Sequence, residues 1–391
     1  MKILHTSDWH LGHLLYNYER TEEQYDFLHQ LADIVSAEQP DVMVVSGDVF
    51  HYSSPSATAQ RMYTDGLLAI HQACPSMEMV ITAGNHDSAS KLEIDRNLWS
   101  HFQVHVIGKP EGKQLQKHLI YIKEKGYVIA VPHIYPQNFP LLDEDTPREE
   151  RCQRFFQSLL DEVSRQNTDQ LPVILMAHLA LTGSDSTGHD EPIGGMDYTS
   201  ISALGDGYDY LALGHIHCPQ TIQDEQHCAR YSGTPLPVSF DEQYLHSVTM
   251  VEVERHNDTP QIRVLPIHNP KPLVVFPKTP KPFDEVLNEL QTLDANQPSY
   301  LQVNVLVKDF LAPDCKERIS AILKDKACRF CHIKMNWERN EETSSSVHLS
   351  LQEMKQTSPL DIAKLFYQEK YGNEMDDELC TLLHEVITHQ P

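Results

Sequence analysis

Short apolar runs alternate with amphipathic segments along most of the chain. The run Val42–Ser46 is β-branched and apolar throughout, which predicts a buried strand. Residues 22–38 instead carry apolar side chains at helical spacing, among them Phe27, Leu31 and Val35. Repetition of these two patterns predicts a succession of strands and helices.

The remaining predicted elements of the first part are bounded by polar or glycine-containing turns. The predicted strands are 2–7, 77–83, 127–131, 173–177, 208–213, 248–254 and 262–267, and the predicted helices are 57–74 and 147–164. A Gly-rich loop at 182–195 is long enough to suggest a mobile flap.

A change to Pro- and Lys-rich sequence predicts a domain boundary near residue 270. The pattern after it is β-α-β-α-β-β, at 273–276, 283–293, 300–306, 313–323, 329–335 and 347–351, before a helix pair at 359–371 and 376–388. We therefore expect three units, 1–269, 270–355 and 356–391.

Side chains that commonly bind metals follow five of the predicted strands. They are Asp8, His10, Asp48, Asn85, His178, His215 and His217, with His86 and Asp87 next to Asn85. The pairs Asp8/His10 and His215/His217 are two residues apart, so each pair can point to one side. His133 also follows a strand, but it has no such neighbour in the sequence and is predicted to be structural.

Seven ligand-type side chains exceed the needs of one ion. Two ions about 3.5–4 Å apart that share a carboxylate fit the number, and such a pair suits in-line displacement at phosphorus. Carboxylate, amide and imidazole groups without a thiolate favour manganese or a similar hard ion over structural zinc.

Composition adds constraints on compartment and partners. The chain of 391 residues has a net charge of −25, which opposes sequence-independent binding to a polyanion. We see no signal peptide or apolar run long enough to cross a bilayer, so we expect a cytoplasmic protein with reduced cysteines. Cys328–His332 matches C-x-x-C-H, but without an export signal we interpret it as thiols on two faces of a strand.

The five strand-end motifs resemble those of calcineurin-like metallophosphoesterases. The motifs are Asp8-x-His10, Gly47-Asp48, Gly84-Asn85-His86-Asp87, His178 and Gly214-His215-x-His217. Segments 7–12, 194–195 and 231–237 more closely resemble SbcD-type nuclease subunits, and this likeness covers essentially the whole chain.

The resemblance implies an α/β fold, a four-layer α/β/β/α sandwich with a smaller C-terminal α/β capping domain and a terminal helix pair. One metal would be bound by Asp8, His10, Asp48 and His217, and the other by Asp48, Asn85, His178 and His215. His86 would contact the scissile phosphate, and Asp87 would orient His86.

The same resemblance implies a manganese-dependent 3′→5′ exonuclease on duplex ends that is also an endonuclease on single strands and hairpins. It implies DNA and an SbcC-type ATPase as partners, and a homodimer within a heterotetramer. The ATPase would dock in part on the C-terminal helices, where candidate apolar residues are Leu360, Ile362, Leu365, Phe366, Leu379, Leu382 and Leu383.

Two positions near the motifs qualify the resemblance. Many metallophosphoesterases have an aspartate three residues after the bridging one, where this chain has His51, which leaves the hydrogen bonding around Asp48 open. His13, beside the first motif, would supply no fixed positive charge for a DNA phosphate if its imidazole is neutral.

Two other functions stay open from sequence. The acidic charge favours a phosphodiesterase that acts on a small nucleotide or a phosphoprotein, whereas the capping domain argues against it. The other open function is a non-catalytic scaffold that tethers DNA and has structural metals. The open set of ligands argues against it, because structural metal sites have closed ligand sets.

Overall fold

The computed structural model describes residues 1–141, 147–188, 197–223 and 227–338, together with a few positions beyond them. Those positions are 360, 361, 363, 364, 367, 375, 376, 379 and 380. Residues 189–195 of the predicted flap and the predicted strand 347–351 lie outside the described residues. So do five of the candidate partner-binding residues, Ile362, Leu365, Phe366, Leu382 and Leu383.

Strands and helices alternate over the first 266 residues. The strands are β1 Lys2–Thr6, β2 Leu14–Leu15, β3 Tyr18–Glu19, β4 Val42–Ser46, β5 Glu78–Thr82, β6 Val104–Ile107, β7 Leu119–Ile122, β8 Gly126–Ala130, β9 Val173–His178, β10 Ala180–Leu181, β11 Tyr198–Thr199, β12 Tyr210–Gly214, β13 Gln220–Gln223, β14 Cys228–Tyr231, β15 Ser247–Glu252 and β16 Gln261–Pro266. The α-helices are α1 Thr21–Glu38, α2 Ala57–Ala73, α3 Ala89–Leu92, α4 Arg96–Trp99 and α5 Arg151–Gln166.

Two six-stranded sheets stack face to face. Their strand orders are β16-β15-β1-β4-β5-β6 and β13-β14-β12-β9-β8-β7. The apolar layer between the sheets includes Ile3, Val44, Ile174 and Ala212, all fully buried. Two further apolar layers cover the outer faces, one against α1 and α2 and the other against α5. This arrangement confirms the expected α/β/β/α sandwich.

The parallel strands bring their carboxyl ends to one edge of the sandwich. β1, β4 and β5 are parallel neighbours in the first sheet, and β8, β9 and β12 are parallel neighbours in the second. Because the chain leaves each of these strands at the same edge, the residues that follow them can converge.

A smaller α/β unit follows. It consists of β17 Leu273–Pro282, α6 Phe283–Thr292, β18 Ser299–Val307, α7 Cys315–Leu323 and β19 Cys328–Trp337. The three strands are parallel in the order β17-β18-β19, with a core of their own that includes Val286, Val303 and Ile319. Cys328 packs in that core, whereas Cys331 packs beside Leu15, as expected for thiols on two faces.

This smaller unit rests on β3 and the first turn of α1. The Tyr300 hydroxyl donates a 2.6 Å hydrogen bond to the buried Glu23 carboxylate, which also lies 3.4 Å from Lys271 Nζ. The Arg329 guanidinium lies 5.4 Å from the centre of the Tyr18 ring. Among the described helices, none has the length and apolar character that a membrane span requires.

Candidate metal centre

The predicted ligands meet at the edge where the parallel strands end. Asp8 and His10 follow β1, Asp48 follows β4, and Asn85 follows β5. His178 closes β9, and His215 and His217 follow β12. Both sheets therefore contribute to one site, and most of these side chains are buried from solvent.

Several ligand residues have strained backbones. Positive φ angles of 53°, 46°, 50° and 94° occur at Asp8, His10, Asp48 and His215. Residues other than glycine rarely adopt this region. Such strain occurs mainly where function fixes the direction of a side chain. Its position at four of the seven predicted ligands supports a functional role for this edge.

Asp48 lies at the centre of the group. Its Oδ1 accepts a 2.9 Å hydrogen bond from the His86 backbone N–H. Its Oδ2 lies 3.4 Å from His178 Nε2 and 3.9 Å from His10 Nε2. One oxygen of Asp48 therefore faces both halves of the site, which is the position of a shared ligand.

The first half of the site contains Asp8, His10 and His217. One ligand atom from each of the three lies within 4.8 Å of the others. Nε2 of His10 and Nε2 of His217 face each other at 3.2 Å, close to the separation of about 3 Å that two ligands of one ion have. Asp8 also accepts the backbone N–H of His215 at 3.1 Å.

The second half is organised around the Asn85 carboxamide. Its Oδ1 lies 2.9 Å from His178 Nε2 and 3.0 Å from His215 Nδ1. Two imidazole nitrogens and one amide oxygen from three strand ends therefore point into the same space. Asn85, His178 and His215, with Asp48, are the second ligand set that the resemblance implies.

Buried acceptors fix the orientation of two of the imidazoles. His178 Nδ1 donates to the Ser46 carbonyl oxygen at 2.8 Å, and His217 Nδ1 donates to Glu242 Oε1 at 3.0 Å. The second oxygen of Glu242 accepts from the Thr234 hydroxyl at 2.9 Å. With its proton on Nδ1, each ring presents the Nε2 lone pair to the site, as metal ligation requires.

Sequence reasoning missed Glu242. This carboxylate is 3% exposed and comes 25 residues after the histidine that it orients. Its place in the sequence gives no sign of this contact, because it lies in an irregular segment rather than after a strand of the sheet.

Two glycines allow the loops to approach this closely. A Cβ at Gly47 would collide with the His178 ring, and a Cβ at Gly84 would collide with the Asp48 carboxylate. Gly47 also has a φ of 86°, in the left-handed region that favours glycine. The Gly-Asp and Gly-Asn pairs are thus steric requirements of the site.

The buried carboxylates of Asp8 and Asp48 require positive charge nearby. Burial, reinforced by the neighbouring charge of Asp48, raises the pKa of Asp8 to about 6. Burial opposes protonation of His178, but the adjacent Asp48 carboxylate raises the pKa of His178 to about 9. Protons thus collect among these groups in the absence of cations, and divalent ions would take their place.

The donor set fits two hard divalent ions. It combines two carboxylates, one amide oxygen and four imidazoles, with no thiolate. His217 donates from Nδ1 to Glu242, so its Nε2 faces His10 Nε2 at 3.2 Å, a separation that suits two ligands of one ion.

His86 lies at the edge of the site, half-buried. Its Nδ1 donates to the His51 carbonyl oxygen at 2.9 Å, and its ring stacks on the His51 ring at 5.3 Å. The His51 side chain itself faces His10, with 3.3 Å between their Nδ1 atoms. The unusual His51 therefore contacts a predicted ligand rather than Asp48.

The structure gives Asp87 partners other than the His86 side chain. The Asp87 carboxylate accepts the backbone N–H groups of Val49, Phe50 and Gly84 at 2.9–3.1 Å. Three backbone donors occupy both of its oxygens, so Asp87 ties the loop after β4 to the loop after β5. The His51 carbonyl oxygen takes the orienting position instead.

His133, which was predicted to be structural, lies beside the site. Its Nδ1 donates to the His178 carbonyl oxygen at 3.1 Å, and its ring lies 5.8 Å from that of His178 and 6.1 Å from that of His215. The parallel pairing of β8 with β9 brings it there.

Burial lowers the pKa of His13 to about 2, so that imidazole is neutral as expected.

Comparison with protein families agrees with this geometry. The family model described as calcineurin-like phosphoesterase matches residues 1–219, more than half of the chain. The chain belongs to the calcineurin-like phosphoesterase family. A second family model, described as the type 5 capsule protein repressor C-terminal domain, matches residues 269–371.

Curated relatives of this phosphoesterase match over most of its length. The chain is 31% identical to the D subunit of nuclease SbcCD from Bacillus subtilis, over 97% of this chain and 95% of the relative. It is 34% identical to the protein of that name in Rhodobacter capsulatus, over 75% and 76%. The Escherichia coli K12 protein of that name is 26% identical over 99% of this chain and 97% of its own.

Proposed function

We propose that this phosphoesterase is a manganese-dependent DNA nuclease, the nuclease subunit of an SbcCD-type complex that processes DNA ends in recombination and repair. The observation that carries the proposal is the convergence of seven ligand-type side chains at one edge of the sandwich, with Asp48 between His10 and His178. The three relatives that bear the name of the SbcCD nuclease support the choice of DNA as substrate. The cytoplasmic location expected from sequence is part of this proposal.

In the proposed site, Asp8, His10, Asp48 and His217 hold one ion, and Asp48, Asn85, His178 and His215 hold the other. When bound, the pair supplies a hydroxide nucleophile near neutral pH and neutralises phosphate oxygens. The chain contributes the fixed directions of the ligands, through Ser46 and Glu242 behind two of the imidazoles.

His86 has the geometry to assist the leaving oxygen. Its Nδ1–H is held by the His51 carbonyl oxygen, which leaves Nε2 for the substrate. In the protonated imidazole, Nε2–H donates to a phosphate oxygen or to the leaving group, as a general acid or electrophile. Asp87 supports this arrangement indirectly, because it fixes the loops on either side.

The proposed activity has two parts, 3′→5′ exonuclease on duplex ends and endonuclease on single strands and hairpins. The proposed partners are DNA, an SbcC-type ATPase and a second copy of this chain within a heterotetramer. We further propose 1–269 as the nuclease domain, 270–355 as a capping domain that binds DNA, and 356–391 as the partner-binding helices.

One observation favours a second candidate. Residues 1–269 carry 37 Asp and Glu against 17 Lys and Arg, a balance that suits a small nucleotide or phosphoprotein substrate better than a polyanion. Parallel assays of hairpin DNA and bis(p-nitrophenyl) phosphate with manganese separate the two. We expect the hairpin to have the far higher kcat/KM; rapid hydrolysis of the small diester with no hairpin cleavage would refute the nuclease proposal.

A further inference from the structure

Two half-exposed tyrosines lie next to the metal centre. The side chains of Tyr52 and Tyr135 are 49% and 51% exposed. Each ring packs edge-to-face on a histidine, Tyr52 on His51 at 4.5 Å and Tyr135 on His133 at 4.7 Å. A single exposed aromatic ring is ordinary on a protein surface, so their shared position is what requires explanation.

The two tyrosines belong to different halves of the site. His51, the neighbour of Tyr52, lies 5.3 Å from the rings of both His10 and His86. His133, the neighbour of Tyr135, lies against His178 and His215. One tyrosine therefore flanks the Asp8 half and the other flanks the Asn85 half.

The backbone holds each ring's partner in place. The His51 N–H donates to the Leu11 carbonyl oxygen at 3.1 Å, and the His133 N–H donates to the Ala83 carbonyl oxygen at 2.7 Å. Tyr135 also directly precedes the short 3₁₀ helix Pro136–Asn138. The backbone therefore fixes the histidine against which each tyrosine ring packs.

The net negative charge of the first 269 residues favours base stacking as the way to bind a nucleic-acid strand. The acidic first 269 residues can release few phosphate counterions, so phosphate contacts alone give weak affinity. Stacking of a nucleobase on an aromatic ring does not depend on positive charge and accepts any base. An acidic nuclease with aromatic rings on both sides of its metals can therefore hold a strand through its bases.

We propose that Tyr52 and Tyr135 stack on unpaired nucleobases on the two sides of the phosphate at the metal centre. The proposal rests on the nuclease function and specifies its substrate as a strand whose bases are free to unstack. Bases inside a duplex are already stacked on each other, so single strands, hairpin loops and frayed ends are the preferred substrates.

Fluorescence of 2-aminopurine tests the contact directly, because stacking quenches it. Two single-stranded oligonucleotides, one with 2-aminopurine on the 5′ side and one with it on the 3′ side of a cleavage-resistant phosphorothioate, are each bound to the full chain with manganese. We expect wild type to quench both labels, Tyr52→Ala to lose quenching on one side and Tyr135→Ala to lose it on the other. Each alanine variant should bind about ten-fold more weakly.

Three matched variants separate stacking from loss of the fold. Tyr52→Phe and Tyr135→Phe keep the ring and should keep the quenching. Tyr121→Ala removes a tyrosine that is also 49% exposed and packs on an aromatic ring, Tyr127, at 5.1 Å, but lies on the edge strand β7. The quenching should survive in this variant too.

Salt and cleavage complete the test. The weakening caused by each alanine should be the same at about 50 and about 200 mM salt, because no charge is removed. Alanine variants that bind and quench as wild type does would overturn the inference. Quenching by wild type without cleavage of the unmodified oligonucleotide would instead overturn the nuclease proposal and leave the stacking contact intact.

Discussion

Asp48 combines two tasks in one carboxylate. Its Oδ1 is held by the backbone N–H of His86, so Oδ2 is left to face His10 on one side and His178 on the other. The residue that fixes the proposed bridging ligand is therefore also the residue proposed to act on the substrate. The backbone of His86 does the first task, and its side chain does the second.

That division gives a prediction for His86→Ala. The variant keeps the backbone N–H to Asp48, so we expect it to bind two manganese ions as wild type does. Loss of the imidazole should lower kcat for hairpin cleavage about 100-fold or more. Metal content by mass spectrometry and single-turnover cleavage provide the two measurements.

His29→Ala is a suitable control for His86→Ala, since His29 is an exposed histidine on α1. His29→Ala should change neither the metal content nor kcat for hairpin cleavage. An His86→Ala protein that has lost a metal ion would contradict the proposed role of His86 in chemistry rather than ligation, because this residue also lies within ligand distance of His10 and His51.

Glu242 is the residue whose role the sequence did not suggest. We expect Glu242→Ala to lower manganese affinity about 10- to 100-fold, because His217 loses the acceptor that fixes its orientation. Cleavage should recover at saturating manganese, since no ligand is removed. Its exposed neighbour Asp241, which pairs with Lys334, supplies the control Asp241→Ala. Equal manganese affinity in the two variants would exclude the orienting role.

At the scale of elements, the strand ends were the predictable part of the site. Strands such as β4 coincide with the predicted run because five consecutive buried positions leave little alternative. The predicted ligands followed from their place after such strands, and the structure does bring them together. The sequence could not place Glu242 and His133 at the site in the same way. Their distance from the metal ligands depends on how β8, β9 and the segment before β15 are arranged in space.

Irregular strands were less predictable. The predicted strand 273–276 stops before Pro277, whereas β17 continues to Pro282 through a register shift between Phe276 and Lys281. Proline lacks the N–H for regular pairing, so sequence patterns end a strand there, but a bulge on an edge strand accommodates it. The two-residue strands β2 and β3 are too short to show an alternating pattern at all.

An ion-pair cluster joins three elements of the first sheet layer. Both nitrogens of the Arg263 fork on β16 donate to Glu38 at the end of α1, and Lys2 of β1 donates to the same carboxylate. These hydrogen bonds lower the pKa of Glu38 to about 2, and those from Arg263 have a larger effect than that from Lys2. The carboxylate should therefore stabilise the fold in a pH-dependent manner.

We expect Glu38→Gln to lower the free energy of unfolding by about 1 kcal/mol near neutral pH, discounted for the half-exposed Arg263. Because the folded pKa lies below the unfolded one, this difference is complete above about pH 5 and narrows as the pH falls toward 2. Urea unfolding at several pH values measures it, with the exposed Asp33→Asn on α1 as control. A difference that grows on acidification would contradict the assignment.

At the scale of the whole molecule, the smaller α/β unit is tied to the metal domain by both buried and exposed polar contacts. Tyr300, Glu23 and Lys271 form one such set, and Lys334 reaches Asp241 next to Glu242. Residues 270–337 carry ten Lys and Arg against eight Asp and Glu, so this unit is far less acidic than the first 269 residues. That balance agrees with its proposed role beside DNA.

The proposed partner site gives a prediction about assembly. In the C-terminal segment, Leu360 and Leu379 are half-buried, and the Asp376 carboxylate accepts the Leu379 N–H at 2.8 Å. A chain that ends at residue 355 should keep its manganese but lose affinity for an SbcC-type ATPase by about 100-fold or more. Titration calorimetry with the purified ATPase is the measurement, and full affinity of the truncated chain would contradict the proposal.

Metal content and hairpin cleavage of wild type and Asp48→Asn, measured on the same samples with and without the ATPase, test the central claim most directly. The account predicts two manganese ions per wild-type chain, fewer in Asp48→Asn, and loss of cleavage with the lost ion. An Asp48→Asn chain that cuts hairpins as fast as wild type would show that the cleavage arises elsewhere.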